Sequence, residues 1–307
     1  MDLELPERKI VLDASGVACR IEERSRLESH RLIEDLMIAA NEAVARYLIK
    51  RKCPGLFRIH EPPDEQRLMM VSKGAELFGH KLDIKSATNP RALAKFAASL
   101  QKDSRTSIGQ VLLLRSMKQA RYDVENLGPF GLASEAYLHF TSPIRRYPDL
   151  LVHRALKKLW AKHGKLKNLE EAASHVSVQE RAAMLAERDV TDLMACQIAT
   201  HFIGEEMKAK VVSVLKAGVF VRADHLLFEG FVPIDAFNDF YHEYFDFIEE
   251  SMMLFGRLTS RQITIGSQVA VRLDAVNIAL RRIDFQLVGG LEKRRAKRAE
   301  SKASTSK

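Results

Sequence analysis

The chain has few cysteines, a single tryptophan and no long apolar run. Cys19, Cys53 and Cys196 stand apart, so neither a disulfide framework nor a paired-cysteine metal knuckle is written in, and they read as free thiols. No stretch of about 18 apolar residues occurs, which leaves no candidate for a membrane-crossing helix. Met1 is followed by Asp2, Glu4 and Glu7 instead of a basic and then apolar leader; the expectation is a cytoplasmic protein with no membrane partner. Clustered aspartates are also missing. Asp2, Asp13, Asp35, Asp64, Asp83, Asp103 and Asp123 are isolated, and none stands beside another. A hard divalent cation takes oxygen ligands gathered at one point, so no metal ligand is assigned.

What is present points to a globular chain with an anionic partner. A hydrophobic content of 46% over 307 residues suffices for a substantial core and about two domains. The net charge of +8 favours a polyanion, because basic groups gain affinity by releasing counterions from phosphates. Part of the excess lies in the end segment EKRRAKRAESKASTSK from Glu292, too charged and too poor in large apolar residues to fold. It reads as a disordered basic tail, either solubilising or tethering nucleic acid.

The pattern changes along the chain. Lys9 to Ile21 alternates around Ser15 and Gly16, as a hairpin does. Leu32, Leu36, Ala40, Ala43 and Tyr47 recur at helical spacing, predicting a helix from about Leu27 to Lys50, before Pro54. A second helix is predicted over Asn89 to Leu100, with Asn89 as cap and Pro90 at the first helical position. A third is expected from Asp149 to His163, near Gly164. The longest is expected from about Ser177 to Phe202, with Met184, Val190, Leu193, Met194 and Ile198 on its apolar face. From Gly204 the sequence alternates like short strands, with a turn at Lys216 and Ala217, a close approach at Gly230 and an aromatic insert, NDFYHEYFDF; a small closed barrel follows. Phe228, Phe231, Phe237 and Phe285 are read as packing, and Tyr241, Tyr244 and Phe245 as the insert's anchor. The fold class is α+β, with boundaries at 1–203, 204–288 and 289–307.

Residues 137–156 read YLHFTSPIRRYPDLLVHRAL. An adjacent arginine pair held between a proline and a Tyr-Pro step suits a phosphate clamp, since a guanidinium is permanently charged and binds two oxygens at once. This stretch resembles the signature of the ribonuclease II and ribonuclease R family of 3'-to-5' exoribonucleases. ESHRLIEDLMIAANEAVARYL and AERDVTDLMACQIA resemble two further helices of that family's catalytic (RNB) domain, and the segment from Gly204 to Leu287 resembles its OB-fold RNA-binding domain of the ribosomal S-one type.

The resemblance implies hydrolysis of single-stranded RNA from its 3' end to nucleoside monophosphates, with Mg²⁺. It assigns Arg145 as the catalytic phosphate ligand. Arg146 follows it, and on an extended segment adjacent side chains face opposite ways. Ser142 and Thr141 either cap the following helix or donate to phosphate, with capping the simpler reading; Tyr147 and His139 read as packing and hydrogen-bonding residues. Glu34 and Asn41, seven apart on one helix, share a side; the family's helix here lines the RNA channel, which implies contacts from Glu34 or Asn41 to ribose hydroxyls, the groups that distinguish RNA from DNA, with a solvated helix face as the other reading of Glu34. Glu187 matches a position near the RNA end and reads equally as a partner of Arg188 or Arg181. In the barrel, Phe220 matches a base-stacking position, and Arg281 and Arg282 are placed to follow phosphates.

The sequence departs from the family pattern at several places. The aspartate cluster that holds the family's metal, the cold-shock-type domains and a base-stacking tyrosine normally precede the LELPERKI hairpin with which this chain starts. The expectation is therefore a C-terminal portion whose N-terminal half is a possible partner in trans; the alternative is a non-catalytic RNA-binding protein. Pro129 stands where a histidine is usual, and Ala217 and Pro233 replace an aromatic and a histidine.

Overall fold

The computed structural model describes residues 8–23, 27–76, 80–84, 89–101, 113, 114, 116–128, 130 and 134–290. Pro129 and the basic tail from residue 291 lie outside the described residues. Strands β1 (Arg8–Leu12) and β2 (Ala18–Glu23) pair antiparallel, with Ile10 opposite Ile21. Their turn closes as the Ser-Gly step predicts: Gly16 has φ +84°, and the Asp13 carboxylate accepts the amides of Ser15 and Val17, both at 2.9 Å.

Helix α1 (Glu28–Lys50) follows the predicted limits, but its buried stripe is Asn41, Ala45 and Leu48. Leu32 and Leu36, expected to face the core, are exposed. Periodicity fixes the spacing of a stripe, not which of two adjoining stripes packs. Strand β3 (Phe57–Ile59) and helix α2 (Glu65–Glu76) come next. Helix α3 (Pro90–Gln101) starts as read, with the Asn89 side chain accepting the Arg91 amide at 2.9 Å. Strand β4 (Arg121–Asp123) pairs antiparallel with β3.

Helix α4 (Tyr147–Trp160) begins two residues earlier than expected and ends before His163. Pro148 occupies its first turn, where a missing N–H costs nothing. Helix α5 (Leu169–Ala199) begins eight residues early. Leu169, Ala173 and Val176 bury its first third and Ala195, Cys196, Ile198 and Ala199 its last. Between them residues 181–190 are exposed on every side, including Met184 and Val190, which the sequence placed on the apolar face. The helix bridges two bodies, so its middle has nothing to pack on.

The second body is a closed barrel in the order β11-β12-β7-β6-β5, built from β5 (Glu206–Leu215), β6 (Gly218–Ala223), β7 (Glu229–Pro233), β11 (Gln268–Asn277) and β12 (Arg282–Gly289). Gly230 sits where a Cβ would come within 2.5 Å of the Phe285 ring and 2.8 Å of the Ile283 carbonyl, which is the close approach its position predicts. The insert carries helix α6 (Ile234–Tyr241) and a three-stranded sheet of β8 (Phe245–Ile248), β9 (Met253–Gly256) and β10 (Gln262–Ile263). Phe237 and Phe245 are buried in it, whereas Tyr244 is 71% exposed and anchors nothing; Arg257 instead sits over its ring, 6.0 Å from the centroid. The barrel core runs on into Leu68, Leu93 and Leu100 of α2 and α3. A separate cluster of Ala45, Leu48, Phe57, Leu138, Val152 and Leu156 lies under the arginine motif.

Candidate nucleic-acid interface

The arginine motif is a short loop held from both sides. On one side the buried Asn41 donates through Nδ2 to the Tyr137 hydroxyl at 2.9 Å, and its Oδ1 accepts the amides of Phe140 at 2.9 Å and Thr141 at 3.3 Å. On the other, Asp149, fully buried in the first turn of α4, accepts the Ser142 amide at 2.8 Å and the Arg146 guanidinium at 2.9 Å on one oxygen. His153 reaches the Phe140 carbonyl at 2.9 Å and stacks on the Phe140 ring, 4.3 Å between centroids. Ser142 therefore does not cap α4 through its side chain: the N-cap is Arg146, which makes no side-chain cap bond, and Thr141 Oγ1 is buried without a partner. Tyr147 is half exposed instead of packed, with Arg154 over its ring at 5.9 Å.

The loop forms one wall of a cleft of about 180 Å³ whose lining includes Glu34, Asn41, Ser142, Arg145 and Arg146. Five of the predicted residues thus meet in one place, 112 positions apart at the extremes. Arg146 is committed to Asp149. Arg145 is exposed and, among the described residues, pairs with no acid, so its donors are available to a ligand. The two neighbours part at a turn and not on the extended segment the sequence suggested: the amides of Arg145 and Arg146 donate to the Ser142 carbonyl at 3.3 and 3.1 Å. Asn41 spends its amide oxygen and one donor on the loop, which makes it a positioning residue.

Behind the loop a second network locks the charges. His139 lies between the rings of Tyr122 and Tyr137, 5.6 Å from each, and its Nδ1 meets the Tyr122 hydroxyl at 2.7 Å. Burial first, then the charges of Arg146 and Arg58, hold its pKa down at about 3; the imidazole is neutral at any working pH. Tyr122 is pushed up, chiefly by burial. Arg58 covers the Tyr122 ring at 4.7 Å and pairs with Glu180 of α5. Asp149, Tyr137, His153, Arg58 and Glu180 were not singled out from the sequence. Only Asp149, three residues beyond Arg146 on a predicted helix, carried a local signal, the i,i+3 ion pair.

The remaining predicted residues lie elsewhere. Glu187 is on the exposed middle of α5 and does not line the cleft; the ion pair there joins Arg188 to Asp192, so neither expected partner engages it. Phe220 is 37% exposed on the barrel, its ring 5.3 Å from that of Phe231. Arg281 pairs with Asp189 of α5 at 2.8 Å, and Arg282 with Asp284 at 2.6 Å. Each arginine thus already holds a carboxylate, though both stay partly exposed, with side-chain exposures of 39% and 57%. No group of three His, Cys, Asp or Glu side chains able to hold a metal ion occurs among the described residues, and no described helix is long and apolar enough to cross a membrane.

Comparison with known proteins agrees with this architecture. Residues 1–162 match the RNB domain family and residues 200–287 the S1 RNA binding domain. Ribonuclease R of Escherichia coli K12 is 37% identical over 302 residues, covering 94% of this chain and 37% of the relative. Ribonuclease R of Aquifex aeolicus is 37% identical over 300 residues, covering 95% of this chain and 42% of the relative. The structure of Mycoplasma genitalium RNase R in complex with ribose methylated single-stranded RNA superposes with a TM-score of 0.84 at 27% identity, covering 94% of this chain and 46% of that one. The chain thus spans less than half the length of the proteins it matches. With an RNB match over its first 162 residues, an S1 match over its barrel and the arginine loop described above, the chain belongs to the RNB domain family, and the relatives it is similar to are ribonucleases R.

Proposed function

We propose that the chain supplies the RNA-gripping share of a 3'-to-5' exoribonuclease of the ribonuclease R type, which hydrolyses single-stranded RNA to nucleoside monophosphates in cytoplasmic RNA turnover. One observation carries the reading: Arg145, which pairs with no acid among the described residues, lines the same cleft as Glu34 of the facing helix α1. A guanidinium holds the phosphate and stabilises charge growing on its oxygens, and a carboxylate accepts from a ribose 2'-hydroxyl. Arg146 and Asp149 keep the loop in place, and Asn41 fixes its height over α1. Ser142 lies at the cleft wall; Phe220, Arg281 and Arg282 on the barrel and Glu187 on α5 are taken as further contacts outside this cleft. The divalent magnesium that such an enzyme uses does not fit the residues described, since they gather no carboxylate cluster. The reading therefore places the metal ligands on a further polypeptide segment, an N-terminal half in cis or in trans, and no chemical step is assigned to the metal on this chain.

The test is filter binding and magnesium-dependent nucleotide release with a 5'-labelled single-stranded RNA, using the chain and its Arg145→Ala variant. RNA retention that falls about tenfold or more in the variant, a loss in the range of a charged hydrogen-bonded contact, is the expected result. Retention equal in both, or release that survives the variant, overturns the assignment of Arg145.

A further inference from the structure

The C-terminal ends of α1 and α4 lie side by side. Trp160, 64% exposed, donates through Nε1 to the Tyr47 hydroxyl at 3.2 Å, and Arg51 covers the other aromatic, 5.4 Å from the Tyr47 ring. Leu48, Leu156, Leu159 and Cys53 join the two ends in one apolar cluster. Around this aromatic pair the sequence places Lys50, Arg51 and Lys52 at the end of α1, Lys158 in the last turn of α4, and Lys162 and Lys165 just beyond it. All six are exposed, and none makes an ion pair with an acid among the described residues. The Lys165 charge reaches Cys53, where it opposes the burial that raises that thiol, so the two basic runs belong to one surface.

Cations at a helix C-terminus have a structural use, since they offset the partial negative charge of the last carbonyls. One or two per helix meet that need; six, with no acids interleaved, leave a net positive field. An exposed indole with its ring edge fixed by a hydrogen bond is the complement that a polyphosphate strand with unpaired bases requires. Along α4 the surface lies about 20 Å from the arginine loop at 1.5 Å per residue. It is separate from the cleft.

We propose that this end of α1 and α4 is a second single-stranded RNA contact, in which Trp160 stacks a base and the flanking lysines hold the adjoining phosphates. The contact is independent of strand cutting. It is also independent of Arg145.

Trp160 is the sole tryptophan of the chain, so intrinsic indole emission reports this surface alone. The experiment titrates the whole chain with an oligouridylate in a chelating buffer, so that no strand is cut, and follows Trp160 emission together with the anisotropy of a labelled strand. The expected result is quenching that saturates with binding, reaches the same amplitude at saturating strand in Arg145→Ala, and weakens about tenfold in Lys158→Gln/Lys162→Gln/Lys165→Gln. The slope of log affinity against log salt should fall in magnitude by about 2 for three lost phosphate contacts to a single strand. Binding seen by anisotropy with unchanged emission overturns the proposal, as does quenching that the triple variant leaves intact. Quenching by phosphatidylserine vesicles and not by RNA would show the surface to be built for a lipid headgroup and would equally overturn it. Loss of quenching in Arg145→Ala would reduce it to an effect of the cleft.

Discussion

Asn41 and Tyr137 are 96 residues apart in sequence and hydrogen-bonded at 2.9 Å, amide to phenol. Through this bond, and through its two bonds to the backbone of Phe140 and Thr141, α1 sets the position of the loop that carries Arg145. Replacing Asn41 with Ala leaves two amides and a phenol without partners in a buried site. The expected loss is about 3 kcal/mol of stability, at about 1–3 kcal/mol per stranded group, with RNA retention falling beside it. Urea unfolding and filter binding on the same preparation check both.

Adjacent arginines should separate cleanly. Arg145→Ala removes no native pair and should leave the unfolding midpoint within about 0.5 kcal/mol of the parent, as surface changes do, while weakening RNA retention. Arg146→Ala strips Asp149, which is fully buried, of the one cation it pairs with among the described residues and should cost about 3 kcal/mol. Equal stability losses in the two variants would contradict the geometry of the loop.

Acid should weaken the site before it unfolds the barrel. His139 has a folded pKa of about 3, below the roughly 6.5 of an unfolded histidine. The unfolded chain then binds the extra proton between these values, so the stability that neutral His139 confers is whole above about pH 6.5 and declines as pH falls toward 3, by at most about 1.4 kcal/mol per unit. Thermal melts from pH 7 to pH 4 should show this slope, and it should flatten in His139→Asn.

Gly230→Ala should destabilise the barrel by about 2 kcal/mol, the usual cost of forcing an added methyl into packed surroundings. The new Cβ meets the Phe285 ring and the Ile283 carbonyl, and the carbonyl cannot turn aside. Loss of near-ultraviolet signal without loss of the α1 to α4 hydrogen bonds, read by amide exchange, would localise the damage.

Much of this was legible in the sequence because it is local. The hairpin at Ser15 and Gly16, the Asn89 cap and the SPIRRY loop are each specified within a few residues. The start of α5 was missed: Leu169, Ala173 and Val176 hold helical spacing, yet the expected start was Ser177, and the apolar residues Met184 and Val190 read as core are exposed. Tertiary pairs were not. Arg58 and Glu180 are 122 residues apart, and nothing near either announces the other. Asp149 reads from sequence as an acid favoured by the helix start, whereas in the fold it is the knot that ties the Ser142 amide to Arg146.

Helix α5 touches β3 and β4 through Glu180 and Ser177 near its first half and the barrel through Asp189 and its buried last turns. At 1.5 Å per residue, its 31 residues make a beam roughly 46 Å long. Both of its ends are held, the first against β3 and β4 and the last against the barrel, whose core also runs on into α2 and α3, so the exposed middle is a span fixed at two supports.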